Sequence, residues 1–236
     1  MTFLALQDRS LEPSGNSVSS LRFCSQLSPA AAGDFDSLGK LSSPSRATIL
    51  FKEHDLCRSV ILLHSGEVKL FSTSSKGKTI ILKIARSGDL LGLAAAISVG
   101  RYEVTAQTLV PTLIKTIPSD DFLRFISRHH GVGMQMTRLL AEDCKSAFLD
   151  VRNIAYSTAS ERIASILLNW GRSPLHPEPQ LRFDMTLTRD ELGSLAGLSR
   201  ETITRVLSFF QKKKLIEVHG TSFLILEPAR LALLVG

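Results

Sequence analysis

The apolar residues of this chain change their spacing near residue 118, and few folds accommodate that change. Before it, short runs rich in Val, Ile, Leu and Phe are divided by glycine turns. The runs are Ser59–His64, Val68–Ser72, Lys78–Ile84 and Leu109–Ile117, and the breaks are Ser65-Gly66, Ser75–Gly77 and Ser87-Gly88-Asp89. Short strands at such intervals predict an antiparallel sandwich, roll or barrel. The segment Leu90–Gly100, with Ala94, Ala95 and Ala96, prefers helix and sits between strands. After residue 118 the period is helical. Ser119-Asp120-Asp121 caps a helix over Phe122–Arg128, and Gly133–Tyr156 reads as one long helix. Within it Leu140, Cys144, Ala147, Val151 and Ile154 recur every three or four residues, which is a seam. Met136, Leu139 and Leu149 flank that seam. Two apolar faces on one helix predict self-association, with burial against its own domain as the alternative.

The ends of the chain follow the same logic. Residues 1–20 are polar and turn-forming, which predicts a disordered tail. Ser28 before Pro29 predicts a short helix to about Leu38. Ser157 or Thr158, with Glu161 beyond, opens a further helix whose face is Ile163, Ile166, Leu167 and Trp170. A loop with Pro174, Pro177 and Pro179 follows. The division is therefore a tail over 1–20, a β-roll over 21–131, a long dimerisation helix over 132–156 and a last domain over 157–236. The fold class is α+β, with a jelly-roll-like antiparallel roll first.

Composition excludes several classes of function. With 44% hydrophobic and 21% charged residues in 236, the chain has the apolar content for a core. No apolar stretch reaches the roughly 18 residues needed to span a bilayer, and no basic-then-apolar leader opens the sequence. A cytoplasmic location, without membrane contact, is expected. Cys24, Cys57 and Cys144 are too widely spaced for a disulfide framework or a metal knuckle. A net charge of +6 admits nucleic acid, anionic membrane or acidic ligands without choosing among them.

Residues 185–226 make the choice. Thr188 and Glu191 form a capping box, Leu192 and Leu195 face inward, and Gly197 ends that helix. Ser199 caps the next, whose buried stripe is Ile203, Val206, Leu207 and Phe210. Two helices about a glycine turn make a helix-turn-helix. Leu215–Val218, His219-Gly220 and Ser222–Leu226 add a hairpin wing. The exposed face of the second helix then carries Arg200, Glu201, Thr204 and Arg205. Arg can donate two parallel hydrogen bonds to guanine, and Glu can accept from the cytosine amino group. Thr188, Arg189, Ser199, Thr202 and His219 suit phosphate contacts, which position without specifying. Residues 200–214 hold five Lys/Arg, including Lys212–Lys214, and one acid, Glu201. A solvated helix end is the alternative use of the three lysines.

The phrases Thr188–Gly193, Ser199–Arg205 and Leu215–Gly220 resemble the DNA-reading motif of the Crp/Fnr superfamily of bacterial transcription regulators. Ser65–Leu70 and Gly88–Gly92 resemble its β-roll, and the similarity covers about residues 20–236. The resemblance implies that Arg200, Glu201 and Arg205 read bases in an inverted repeat with TGTGA-like half-sites. It also implies a homodimer matched to a two-fold operator. Double-stranded DNA and a second copy of the chain are the implied partners, and RNA polymerase is a partner open to such a regulator.

The same resemblance places an effector pocket at Gly92, Leu93, Arg101, Tyr102 and Phe148, and here the chain departs from cyclic-nucleotide-binding relatives. Leu93 stands at the position of the ribose-binding Glu. Tyr102 stands at that of the phosphate-binding Arg, with Arg101 one residue away. Ala147 and Phe148 replace the polar pair that meets the base. Burying a phosphate without its cation is costly, so cyclic AMP is not the expected effector. A four-thiolate iron–sulfur cluster needs one more cysteine than the chain has. His54, His64, His129 and His130 leave haem open, but a lone histidine is more often an ordinary surface or core residue, and no cofactor, metal site or catalytic residue is expected. A small-molecule effector of unknown identity stays open. The alternatives are a ligand-binding module whose winged helix serves protein contact, and a true cyclic-nucleotide-dependent regulator. Enzyme signatures such as a nucleophile elbow, H-E-x-x-H or a P-loop are absent.

Overall fold

The computed structural model describes residues 27–171 and 181–235. The expected tail over 1–20, Cys24 and the three prolines of 174–179 lie outside the described residues. The chain opens with helix α1 (Pro29–Ser37), capped by Ser28, whose hydroxyl accepts from the Ala31 N–H at 3.3 Å. Eight strands follow: β1 (Lys40–Ser42), β2 (Ile49–Phe51), β3 (Ser59–Ser65), β4 (Val68–Thr73), β5 (Thr79–Ala85), β6 (Leu90–Leu91), β7 (Thr105–Thr108) and β8 (Leu113–Pro118). They form two antiparallel sheets, ordered β1-β8-β3-β6 and β2-β7-β4-β5. Short helix α2 (Leu93–Ile97) sits between β6 and β7, where the alanine run predicts it.

Strand β3 shows how the roll is held. Val60, Ile61, Leu62 and Leu63 are all buried, so simple in–out alternation is lost. Ile61 and Leu63 point into the inter-sheet core with Val68, Leu91, Ala106 and Ile114. Val60 and Leu62 point the other way, against Phe35 of α1 and Phe122 and Phe125 of helix α3 (Ser119–Arg128). Helices cover the outer face, so both faces of β3 are apolar.

Helix α4 (His130–Tyr156) is 27 residues long. Its first turns bury Val132 and Met136 against the roll. From residue 141 to 156 every position but Asn153 is exposed. The chain breaks at Ser157-Thr158, and α5 (Ala159–Trp170) starts with a capping box in which Thr158 and Glu161 each bond the other's backbone N–H. The last domain packs α5, α6 (Arg189–Ala196) and α7 (Arg200–Lys212) around Ile163, Leu167, Leu192, Ile203, Leu207 and Phe210. Its wing is a three-stranded sheet, ordered β10 (Ile216–His219), β11 (Ser222–Ile225), β9 (Arg182–Asp184). The hairpin β10–β11 is the expected wing. Strand β9 and the closing helix α8 (Pro228–Ala232) are additions, too short to show a period. No helix among the described residues is long and apolar enough to cross a membrane.

Candidate nucleic-acid interface

Helices α6 and α7 meet at a tight turn because Gly197 takes a left-handed conformation, φ 65°, which ends α6. The Ser199 side chain then accepts from the Thr202 N–H at 3.3 Å and starts α7. With Ile203, Val206, Leu207 and Phe210 buried, the opposite face of α7 is exposed, and Arg200, Glu201, Thr204 and Arg205 all lie on it. The structure brings these four expected base readers together. Arg200 Nη1 lies 3.4 Å from Asp190 Oδ2, and the Thr204 hydroxyl donates to the Arg200 carbonyl at 3.0 Å. The backbone N–H of Glu201 and the Ser199 side chain hold the Glu201 carboxyl below its usual range. An ionised, acceptor-only Glu201 fits recognition of a cytosine amino group.

The expected phosphate contacts divide. Ser199 and His219 are exposed, His219 lying 3.8 Å from Glu217. Thr202 is half-buried. Thr188 donates its hydroxyl proton to Glu191 at 3.0 Å and accepts from the Glu191 N–H at 3.2 Å. The Arg189 guanidinium lies over the Phe223 ring, 5.1 Å from its centroid, which ties the start of α6 to the wing.

The residues expected around an effector fall into different surroundings. Gly92 has φ 76°, and a Cβ there would meet Tyr102 Cε1 at 2.7 Å. Tyr102 fills this space: it is 5% exposed, stacks on Phe51 at 3.9 Å, and its hydroxyl donates to the Ser59 carbonyl at 2.7 Å. Leu93 is buried with Phe122 and Phe125 in the other apolar cluster. Arg101 is exposed and donates to the His54 carbonyl at 2.7 Å. Phe148 is 71% exposed on α4. Tyr102 is therefore a core residue, and the neighbouring Arg101 turns outward. A cleft of about 460 Å³ between β5, the end of α4, α5 and α6 was not expected from the sequence, although Ala147 is among the residues that line it. Leu82, Ile84, Val151, Ile154, Ile166 and Trp170 help to line it.

A set of polar contacts between roll and last domain also escaped the sequence. Lys69 of β4 donates to Glu191 of α6 at 2.6 Å, with both side chains mostly buried. The Thr186 hydroxyl donates to Glu67 at 2.5 Å, and Glu67 also accepts from Arg86 Nε at 3.1 Å. Arg86 in turn lies 4.8 Å from the ring centre of Trp170, the chain's one tryptophan. Burial disfavours ionisation of Glu191, but Lys69 and the Thr188 backbone outweigh it, and the carboxyl stays below its ordinary value. A lowered carboxyl pKa contributes stability above the unfolded value, lost as pH falls through the folded one. Lys69→Met removes the cation but leaves the Thr188–Glu191 box intact. It is expected to weaken docking of the two domains by about 1.5 to 3 kcal/mol, the range for a charged hydrogen bond. Without Lys69 the Glu191 carboxyl protonates at higher pH, so the acid-induced change in Trp170 fluorescence should move to higher pH. An acid transition identical to that of the unaltered chain would show that the contact does not hold the domains.

These features define a class: a DNA-binding regulator with a winged helix-turn-helix behind a β-roll of the cyclic-nucleotide-binding type. Residues 44–129 match the family model of the cyclic nucleotide-binding domain, and residues 161–234 match that of the Crp-like helix-turn-helix domain. The chain is 30% identical over 188 residues to the fumarate and nitrate reduction regulatory protein of Vibrio cholerae, covering 79% of this chain and 75% of that one. It is 29% identical over 206 residues to the regulatory protein HlyX of Actinobacillus pleuropneumoniae, covering 86% and 85%. Among solved structures, FixK2 from Bradyrhizobium japonicum shares the fold with a TM-score of 0.75 at 19% identity, over 84% of this chain and 98% of that one. The chain belongs to the Crp/Fnr family of transcription regulators, and it is a DNA-binding regulator, not an enzyme.

Proposed function

We propose that the protein acts as a homodimer that reads an inverted repeat with TGTGA-like half-sites, and that it does so without cyclic AMP. The observation that carries this reading is the exposed Arg200–Glu201–Thr204–Arg205 face on a helix whose other side is fully packed. Arg200 and Glu201 lie in the first turn, the part of a recognition helix that meets base edges. Arg205 stands one turn further on the same face. Self-association is supported by the seam of α4. Leu140 leans on the roll, but Cys144, Ala147, Val151 and Ile154 are exposed along one stripe. Independence from cyclic AMP is supported by Tyr102, whose ring occupies the space against Gly92. Any effector acts instead at the contact of roll and long helix, shifting the Ser157–Thr158 joint and re-aiming the recognition helices.

Titration of a duplex carrying the TGTGA inverted repeat, with and without cyclic AMP, tests the reading. Tight binding, unchanged by the nucleotide and lost when both half-sites are scrambled, is expected. Binding that appears only with cyclic AMP, or that ignores the scrambling, contradicts it.

A further inference from the structure

The positive charge of this chain is not concentrated in its last domain. Residues 158–236 carry ten Lys/Arg against eight Asp/Glu, while residues 68–86 of the roll carry five Lys/Arg and no acid. Three of those five have carboxylate partners: Lys69 with Glu191, Lys83 with Asp143 at 2.8 Å, and Arg86 with Glu67. The other two, Lys76 and Lys78, sit at the tip of the β4–β5 hairpin. Both are exposed, and neither carries an ion pair among the described residues.

The tip is well ordered by its own hydrogen bonds. The Lys78 N–H donates to the Ser74 hydroxyl at 3.2 Å, the Ser74 N–H to the Lys78 carbonyl at 2.9 Å, and the Gly77 N–H to the Ser74 carbonyl at 2.9 Å. Its direction is set by the Lys69–Glu191 and Glu67–Thr186 contacts, which fix β4 against the start of α6. Lys78 consequently lines a cleft with Asp190, Gly193, Leu198 and Arg200. Arg200 is the first residue of the recognition helix, so the tip stands beside the face that enters the groove.

We infer that Lys76 and Lys78 of the β4–β5 hairpin form a second contact with the DNA backbone, supplied by the β-roll beside the recognition helix. The inference rests on the DNA-reading face described above. A polyanion suits this tip better than a protein surface does. Residues 74–79 are Ser, Ser, Lys, Gly, Lys and Thr, with no apolar or aromatic anchor. Backbone contacts of this kind add affinity and fix register but carry no sequence information.

The test uses the full chain and a duplex containing its preferred site, with affinity measured over a range of salt. Each phosphate contact contributes about 0.9 to the slope of log affinity against log salt. Lys76→Gln with Lys78→Gln is expected to lower that slope by roughly 1.8 for each half-site bound, while the ratio of specific to scrambled affinity is unchanged. Lys76→Arg with Lys78→Arg keeps the charge and should keep the slope. An unchanged slope in the glutamine variant overturns the inference and leaves the tip to a protein partner. Loss of sequence discrimination in that variant overturns it too, because the lysines would then act through Arg200. Arg200→Ala, run alongside, separates the two readings. If it leaves sequence preference intact, the recognition face is wrong, whatever the hairpin lysines do to the slope.

Discussion

Arg200→Ala and Glu201→Ala should each abolish discrimination at one base pair of every half-site while leaving the fold intact. Both side chains are exposed and lie on the face of α7 away from the core, so neither contributes packing that alanine would lose. Alanine is also the better helix former, and Ser199 keeps its cap on the Thr202 N–H. What is lost is direct readout. A good side-chain–base pair discriminates by about 1 to 3 kcal/mol, so two half-sites together give about 2 to 6 kcal/mol. That is a loss of discrimination between roughly 30-fold and more than ten-thousand-fold. Affinity for unrelated duplexes should change far less for Glu201→Ala, which removes a negative charge from the interface. Competition binding with specific and scrambled duplexes measures both quantities. Retained discrimination in both variants would mean that α7 does not read bases.

The second large effect is expected at Val151. This residue is 66% exposed in the middle of the α4 seam, so Val151→Glu costs the single chain little and keeps a good helix former. In a seam-to-seam dimer the substitution buries a carboxylate from each chain near the two-fold axis, at a cost of several kcal/mol. Dimerisation should weaken by at least about 100-fold, from the cost of uncompensated charge burial. Sedimentation equilibrium should then find monomers at micromolar concentration, and a two-half-site duplex should bind no better than a single half-site. Ser160→Glu, on α5 away from the seam, serves as the control for added charge. A dimer unaffected by Val151→Glu places the interface elsewhere. The exposed run Phe148, Val151 and Ile154 would then need another partner, since a contiguous apolar stripe of this size is unusual on a monomer.

The parts of the structure legible in the sequence are those set by local chemistry. Ser28, Thr158, Thr188 and Ser199 cap helices where their side chains and the following residues predict caps, because a cap is decided within four residues. The cap expected from Ser119-Asp120-Asp121 does not form: α3 already begins at Ser119, Pro118 precedes it, and no side chain caps it. The four exposed residues of α7 follow from its buried stripe in the same way. Strand β9 was not legible, because three residues cannot display a period of two and its pairing with β11 crosses some forty residues. The contacts of Lys69 with Glu191 and of Glu67 with Thr186 join residues 122 and 119 positions apart, and nothing local marks either partner. The expected effector pocket was legible only as a set of departures from the pattern the resemblance implies. That Tyr102 departs from an arginine is visible in the sequence. That its ring closes against Gly92 and stacks on Phe51 depends on how two sheets pack.

The sharpest test of base reading by α7 is selection of bound sequences from a random duplex library, using the unaltered chain, Arg200→Ala and Glu201→Ala, each without added ligand. The unaltered chain should enrich an inverted repeat whose two halves each contain at least two fixed G·C pairs, with Arg200→Ala relaxing one position and Glu201→Ala another in both halves at once. Enrichment of a single unpaired site, or of no sequence at all, would contradict it.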